Sequence, residues 1–371
     1  MLLEETGAGL RVRFAARVPT PPGAVEDGVV TQPRVLARCL HALLRDAGAR
    51  PASALLSVPA GPSLVRWIDM PRLDRDAARE ACRFEARKYL PYPVDQAQIE
   101  MAATETVGGD EGRMRALLVA APQAVVSSRA EALEMAGWSV GAMEPESFAL
   151  LRAQRNSQKA QSRLWRGQPL TYVQIGDESS FICVAQEGIV RFVRAITWGG
   201  ARLTQALADA LPCAPDEARA LKEDPNALLD ESGVLHWTDT GGSARQTDAL
   251  QGEMDRLRRE IQRLLNYYRS LFPERSYEGI LDRVIFCGGT ADLPGLAAYF
   301  SRALHLEAAR RNPFRPVSAW ASSATAGAVA GFESSYAVAL GLALGQIEAA
   351  HQAADARRAQ SQGFVWRRRA A

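Results

Sequence analysis

No apolar run in this 371-residue chain approaches the ~18–20 residues that a bilayer-spanning helix needs, and no leader of a charged then an apolar segment opens it. The expectation is a soluble, cytoplasmic protein. Excess charge is missing as well: 44 Lys and Arg stand against 42 Asp and Glu, a net +2. No basic stripe interleaved with aromatics runs through the body of the chain, so nucleic acid is not an expected partner. Cysteine is sparse. Cys39, Cys82, Cys183, Cys213 and Cys287 are odd in number, widely spaced and mostly inside apolar runs, which reads as buried thiols in a reducing compartment. His41, His236, His305 and His351 share no ligand-like spacing with them, so neither a metal site nor a Cys/His nucleophile is expected.

What is abundant is apolar residue, 47 % of the chain, enough for two or more cores. The stretch Leu281 to Leu296 organises the rest. Val284 to Cys287 is β-branched and aromatic, too short for a helix, and stopped by Gly288 and Gly289, so it reads as a buried strand. Leu293, Leu296, Ala297, Phe300 and Leu304 then recur at helical spacing, with Pro294 placed near the first turn. Strand, Gly-Gly loop, helix is a plain αβ turn. It is also a place where backbone without Cβ atoms approaches a ligand and a helix N-terminus offers free N–H groups.

Upstream, Leu10 to Val18 reads as a strand after a turn at Thr6 to Gly9, and Met1 to Glu4 as the tail of a preceding strand. Pro33 to Ala47 is a helix with Val35, Leu36, Cys39, Leu40, Leu43 and Leu44 on one face, ended by Gly48. Ala54 to Val58 is a buried strand. Asp74 caps a helix stopped by Pro91 and Pro93. Gln98 to Thr106 and Met114 to Ala121 make two strands, Ala124 to Ala136 a helix, and a strand runs to Met143. Arg155 to Gln168 is a polar loop and a candidate boundary. Thr171 to Ile175, Ser180 to Gln186 and Ile189 to Ile196 are three strands, and Ala201 to Leu211 a helix. Residues 222 to 248 lack periodicity and read as loop or a short helical excursion. Glu253 to Leu271 is the clearest helix, with Met254, Leu257, Ile261, Leu264, Leu265, Tyr268 and Leu271 on one stripe; its alternating Arg and Glu by themselves read as a solvated face. Glu333 to Ile347 is a long apolar helix, and the tail from His351 is polar, ends Trp366-Arg367-Arg368-Arg369 and by composition reads as disordered, with contact to anionic lipid as the functional reading.

Several of these stretches, in order, resemble the PilM family of actin-like type IV pilus assembly proteins: Pro21-Pro22-Gly23-Ala24-Val25, Glu85 to Pro93, Ile175-Gly176, Trp198-Gly199-Gly200, Glu260 to Tyr268, Gly288-Gly289 with Asn312-Pro313-Phe314, and Tyr336 to Leu344. The resemblance runs to about residue 348. It implies an α/β actin-like ATPase fold of two ribonuclease-H-like halves with an inserted SHS2-like subdomain, called 1C. The implied division is 1–70 for the first half, 71–143 for 1C, 144–168 for a return helix and linker, 169–318 for the second half, 319–350 for a helix packing on the first half, and 351–371 for the tail.

The same resemblance implies ATP with magnesium in a cleft formed by Gln174, Gly176, Asp177, Gly199, Gly200, Glu260, Arg263, Gly288, Gly289 and Thr290. Two departures weaken that implication. The family's first phosphate loop, of Asp-Ile-Gly type, has no counterpart here; either the start lies about a dozen residues upstream on the family comparison, or the loop is lost. Where the family has Asp before Ile-Gly this chain has Gln174, which lacks the charge a hard cation wants; Asp177, three residues on, is the carboxylate nearest to replace it. No general base is identified. The implied function is therefore a scaffold beneath the inner membrane that captures the N-terminal peptide of a PilN-like membrane protein, with other pilus platform or motor proteins as further partners and Leu90, Pro91 and Tyr92 as a guess at the peptide groove. The alternatives on the same fold are an ATPase or phosphotransferase, a type II secretion component like GspL, and a division scaffold like FtsA.

Overall fold

The computed structural model describes residues 1–48, 52–107, 112–158, 169–271 and 281–367. The chain opens on a hairpin of β1 (Leu2–Thr6) and β2 (Gly9–Phe14), as the turn residues predict, with the short hairpin β3 (Val25–Glu26) and β4 (Val29–Val30) next. Helix α1 (Pro33–Asp46) follows, with Pro in its first turn, and then β5 (Ser53–Val58).

A three-stranded antiparallel sheet comes next, ordered β6-β8-β7: β6 (Leu64–Pro71), β7 (Ala97–Thr106) and β8 (Arg113–Pro122). Its strands alternate. Ile68, Met70 and Leu118 meet Ala78, Cys82 and Ala86 of α2 (Arg75–Ala86), while Val65 and Leu117 face the opposite way into a second core. Asp74 caps α2 by accepting from the amides of Asp76 and Ala77, at 3.0 and 2.9 Å. Helix α3 (Gln123–Met135) leads to β9 (Ser139–Pro145), which pairs in parallel with β5, and α4 (Glu146–Gln158) closes this part. Helix α4 thus covers the first residues of the expected polar loop; positions 159–168 lie outside the described residues.

The largest sheet has the order β12-β11-β10-β16-β17, made of β10 (Leu170–Ile175), β11 (Ser180–Gln186), β12 (Ile189–Ile196), β16 (Arg283–Cys287) and β17 (Glu307–Arg310). Strand β10 is central, antiparallel to β11 and parallel to β16. Both faces are buried, which explains the near-continuous apolar runs. Val173 and Ile175 point to a core with α5 (Ala201–Ala210), α7 (Gln251–Ser270) and α8 (Leu296–Leu304); Leu170 and Tyr172 point to one shared with α4.

Three elements differ from expectation. Residues 215 to 247 hold a short helix, α6 (Pro215–Lys222), and an antiparallel sheet of β13 (Leu228–Leu229), β14 (Leu235–Thr238) and β15 (Ala244–Thr247) rather than loop. Two aspartates mask it. Asp230 accepts from the Ser232 and Val234 amides, and Asp239 from those of Gly241 and Ser243, so the turns dominate the composition and the strands are short. Helix α8 begins after Gly295 rather than at Pro294; Gly295 sits at φ +85°, and a Cβ there would stand 1.8 Å from the Leu229 carbonyl. The last helix is much longer than read. After β18 (Val317–Trp320), which lies parallel beside β2, and α9 (Ser323–Val329), α10 runs Ala337–Arg367. Its alanine-rich sequence continues past Ile347 without a breaker until Gly363, and His351 meets Glu5 at 2.6 Å. Arg368 and Arg369 lie outside the described residues. Among the described residues no single helix is long and apolar enough to cross a membrane; α9 with the first part of α10 would pass only as a pair bent by 98°, and Val329, Tyr336, Leu340 and Leu344 of that pair are buried in a core with Val12.

Helices α4 and α10 cross with almost no space between backbones. A Cβ on Gly341 would lie 1.8 Å from the Ala149 carbonyl oxygen. Beside it Arg152 donates to both Glu144 oxygens, at 2.6 and 2.9 Å, and to the Gly341 carbonyl at 2.9 Å, and pairs with Glu348 at 3.2 Å. Gly341→Ala therefore has to push the helices apart and is expected to cost about 1–3 kcal/mol by urea unfolding. Gly327→Ala in α9, where nothing lies within 4 Å, is the control and should be neutral or slightly stabilising.

Candidate functional site

Three loops meet at the C-terminal ends of β10 and β16. Gln174 stands in register with Cys287. The β10–β11 turn closes with the Gly176 amide donating to Ser179, at 3.1 Å, and the Gly200 amide returns to the Gly176 carbonyl at 2.8 Å. Packing leaves no space for side chains. A Cβ on Gly199 would sit 2.2 Å from the Asp177 carbonyl, one on Gly200 2.1 Å from Thr290 Oγ1, and one on Gly288 2.2 Å from the Ile175 carbonyl. Gly288 also has φ +89°, and its amide donates to Ser334 at 3.2 Å. Gln174, Gly176, Asp177, Gly199, Gly200, Gly288, Gly289 and Thr290, the set that the family resemblance implies, thus lie close together.

A residue missed at the sequence level lies among them. Lys222, the last residue of α6, is 4 % exposed, donates to the Gly200 carbonyl at 2.9 Å and to Thr204 Oγ1 at 2.8 Å, and burial pushes its pKa down. Lys88, Lys159 and Lys222 are the only lysines in the chain, but rarity does not tell what Lys222 is buried against. Arg17, from the segment after β2, reaches across to pair with Glu223 at 3.1 Å and stacks 3.8 Å over the Phe332 ring. Between Lys222, Glu223, Gly289, Thr290, Asp292 and Phe332 remains a cavity of ≈ 10 Å³, about the size of one water.

Magnesium with a triphosphate does not fit these residues as they stand. Gln174 offers a neutral amide whose Oε1 is buried without a hydrogen-bond partner, Asp177 is exposed and paired with Arg219 at 3.3 Å, and the cavity admits no phosphate chain. Among the described residues no group of three or more His, Cys, Asp and Glu could hold a metal ion.

The other expected residues lie elsewhere. Glu260 and Arg263 are on the outer side of α7, paired with each other at 2.7 Å. Leu90 packs on the α2 side of the three-stranded sheet, and Tyr92 has a buried hydroxyl without a partner, which burial shifts upward in pKa. Two clefts open on the other side of that sheet. One, of ≈ 240 Å³, runs between Ala103 and Leu117 of the sheet, Phe148 and Leu151 of α4, and Ile189 and Val190 of β12. The second, of ≈ 400 Å³, is walled by Trp67, Arg115, Arg191, Arg194, Tyr267 and Leu271. Trp67 Nε1 donates to the Val190 carbonyl at 2.8 Å, and this bond joins the sheet to β12 between the clefts.

Asp292, beside the glycine loop, carries the most perturbed carboxylate of the site. Burial raises its pKa to about 6, against the pull of the Ser334 amide at 3.3 Å and Arg310 at 3.0 Å, and its Oδ2 has no partner. Its folded pKa lies above the unfolded value of 3.8, so the folded state binds the extra proton between the two. Stability from this group is complete below about pH 4 and is lost as pH rises through about 6, up to about 3 kcal/mol in all. Urea unfolding at pH 4.5 and 7 should show this fall in the natural chain and a flatter profile in Asp292→Asn, which keeps an acceptor for Ser334.

A family model described as type IV pilus assembly protein PilM matches residues 1–347. Among solved structures, the PilM-PilN type IV pilus biogenesis complex is similar at a TM-score of 0.75 and 24 % identity, over 92 % of this chain and 94 % of that one. MreB5 of Spiroplasma citri bound to AMPPNP is similar at 0.47 and 15 %, over 92 % and 82 %. Ethanolamine utilization protein EutJ from Carboxydothermus hydrogenoformans is similar at 0.44 and 16 %, over 86 % and 77 %. The fold is actin-like, and the chain belongs to the type IV pilus assembly protein PilM family.

Proposed function

We propose that this chain is a scaffold of type IV pilus assembly, held at the cytoplasmic face of the inner membrane by capturing the N-terminal peptide of a PilN-like membrane protein. The observation that carries the reading is the ≈ 240 Å³ groove between the three-stranded sheet, α4 and β12, in a chain of the PilM family. Its floor is apolar, from Ala103, Leu117, Phe148, Leu151 and Val190, and its rim carries Arg152, Arg155 and Glu348. An extended peptide gains affinity there by burying side chains and meeting rim charges; no reacting group is required. The order β12-β11-β10-β16-β17 supports taking 169–318 as one ribonuclease-H-like half, and the three-stranded sheet with α2 and α3 supports taking 71–143 as the inserted 1C subdomain.

The test is fluorescence anisotropy with a labelled N-terminal peptide of the PilN-like protein encoded with this chain. Ile189→Asp and Phe148→Ala change half-buried groove residues and are expected to weaken binding about tenfold or more, near 1.4 kcal/mol. Tyr92→Ala, on the far side of the sheet, should leave it unchanged. Loss of affinity in Tyr92→Ala but not in the groove variants would move the peptide to the Leu90-Pro91-Tyr92 surface.

A further inference from the structure

The ≈ 400 Å³ cleft lies where the three-stranded sheet faces β12 and the last turn of α7. Two irregularities in the strands build it. Between β11 and β12, Val184 faces Phe192 and Ala185 faces Val190, so Arg191 is an extra residue in the ladder. Between β7 and β8, Met101 faces Leu118 and Ala103 faces Leu117, so Ala102 is extra. A β-bulge reverses the side on which the following residues stand. Beyond Ala102, Ala103 leaves the α2 side, where Ile99 and Met101 pack, and Glu105 turns into the cleft. One bulge on each wall thus brings Arg191 and Glu105 together as an ion pair.

Guanidinium groups and aromatic rings alternate along the wall. Arg191 stands 5.5 Å over the Trp67 ring and Arg194 5.1 Å over that of Phe192, and the ring of Tyr267, 42 % exposed, is 5.9 Å from Phe192. Much donor capacity is left over. Asp69 accepts from Arg115 Nε at 2.7 Å, while the Nε of Arg191 is buried without a partner. Arg194 donates to the Val193 carbonyl at 2.8 Å and, among the described residues, meets no carboxylate. Arg66 belongs to the other side of the sheet, 4.3 Å over the Tyr89 ring. The cleft therefore offers forked N–H donors with a surplus of positive charge, next to the face of an accessible ring. Its complement is a planar ring that carries an anion: the ring stacks, and the anion takes the donors.

We propose that this cleft binds a nucleotide, with its phosphate on Arg191 and Arg194 and its base against Tyr267 and Trp67. The glycine-loop junction at the ends of β10 and β16 contributes no residue to it, so the two places are independent. A volume of ≈ 400 Å³ falls in the lower part of the ~300–1,000 Å³ range of small-molecule sites, which suits one base with its sugar and phosphate. An acidic peptide would meet the charge but leave the rings unused.

The test is calorimetric titration of AMP, GMP, CMP and UMP into the full chain without divalent cations, with inorganic phosphate and the matching nucleosides as partial probes. At least one nucleotide should bind saturably, and more tightly than phosphate or its own nucleoside. Arg194→Gln should weaken it about tenfold or more and Tyr267→Ala about fivefold or more, whereas Arg263→Gln, on the outer side of α7, should leave it unchanged. Arg194 is half-buried and Tyr267 exposed, so both variants should keep the Tm of the natural chain. Cyclic di-GMP, titrated alongside, distinguishes the sources of this chemistry: the tighter binder, mononucleotide or cyclic dinucleotide, is the class of ligand. The proposal is overturned if no nucleotide saturates the chain below about 1 mM, if phosphate alone binds as tightly, or if both cleft variants bind like the natural chain. No partner peptide enters the titration, so its outcome is separate from that of the pilus reading.

Discussion

The contact between the backbones of α4 and α10 is the constraint on which the other parts depend. Helix α4 lies beneath β10 and β12, and α10 lies over β1 and β5. A side chain at Gly341 would separate the two sets of strands, and Arg152 ties the same crossing to Glu144 and Glu348 with a side chain 19 % exposed. A half-buried arginine of this kind carries some desolvation cost, which is more than offset here because both carboxylates and a backbone carbonyl receive its hydrogens, so that its pKa is raised. The crossing fixes where α4 presents Phe148 and Leu151, and so the width of the apolar groove.

The glycine loops show a different economy. At Gly199, Gly200 and Gly288 the absence of a Cβ serves packing of one loop against the next, and the space that close backbone approach leaves for a ligand elsewhere is taken by Lys222, Thr290 and Arg17 with Phe332. Glycine at these positions is compatible with either use. The spacing of the glycines reports a tight junction; the side chains around it decide whether the junction admits a phosphate.

Much of the fold was legible because burial has a period. The stripe on α7, the two-sided apolar strands β10 and β16, and the Asp74 cap follow from local rules, and the family resemblance rested on the order of such stretches. Where short-range chemistry outweighed period, legibility failed: Asp230 and Asp239 make turns so dominant that β13, β14 and β15 look like loop. Pairing of β18 with β2, more than 300 residues apart, leaves no local signature. At the site, the family resemblance collected the glycine loops, yet Lys222 and Asp292 needed the folded structure, because their importance lies in what they are buried against. Glu260 and Arg263 went the other way: a charged pair three residues apart on a helix turned out to satisfy itself at the surface.

Glu348 stands at the groove rim while held by Arg152 and Arg155, at 3.2 and 3.1 Å, on the helix that also packs against the N-terminal strands. A carboxylate bound in the groove would compete with Glu348 for Arg155, and so would act on the seating of α10. Thermodynamic reciprocity then applies: whatever factor groove occupancy imposes on the docking of α10, the docking of α10 imposes on groove affinity. On that condition the N-terminal sheet and the groove would share one equilibrium, with α10 as the element packed against both.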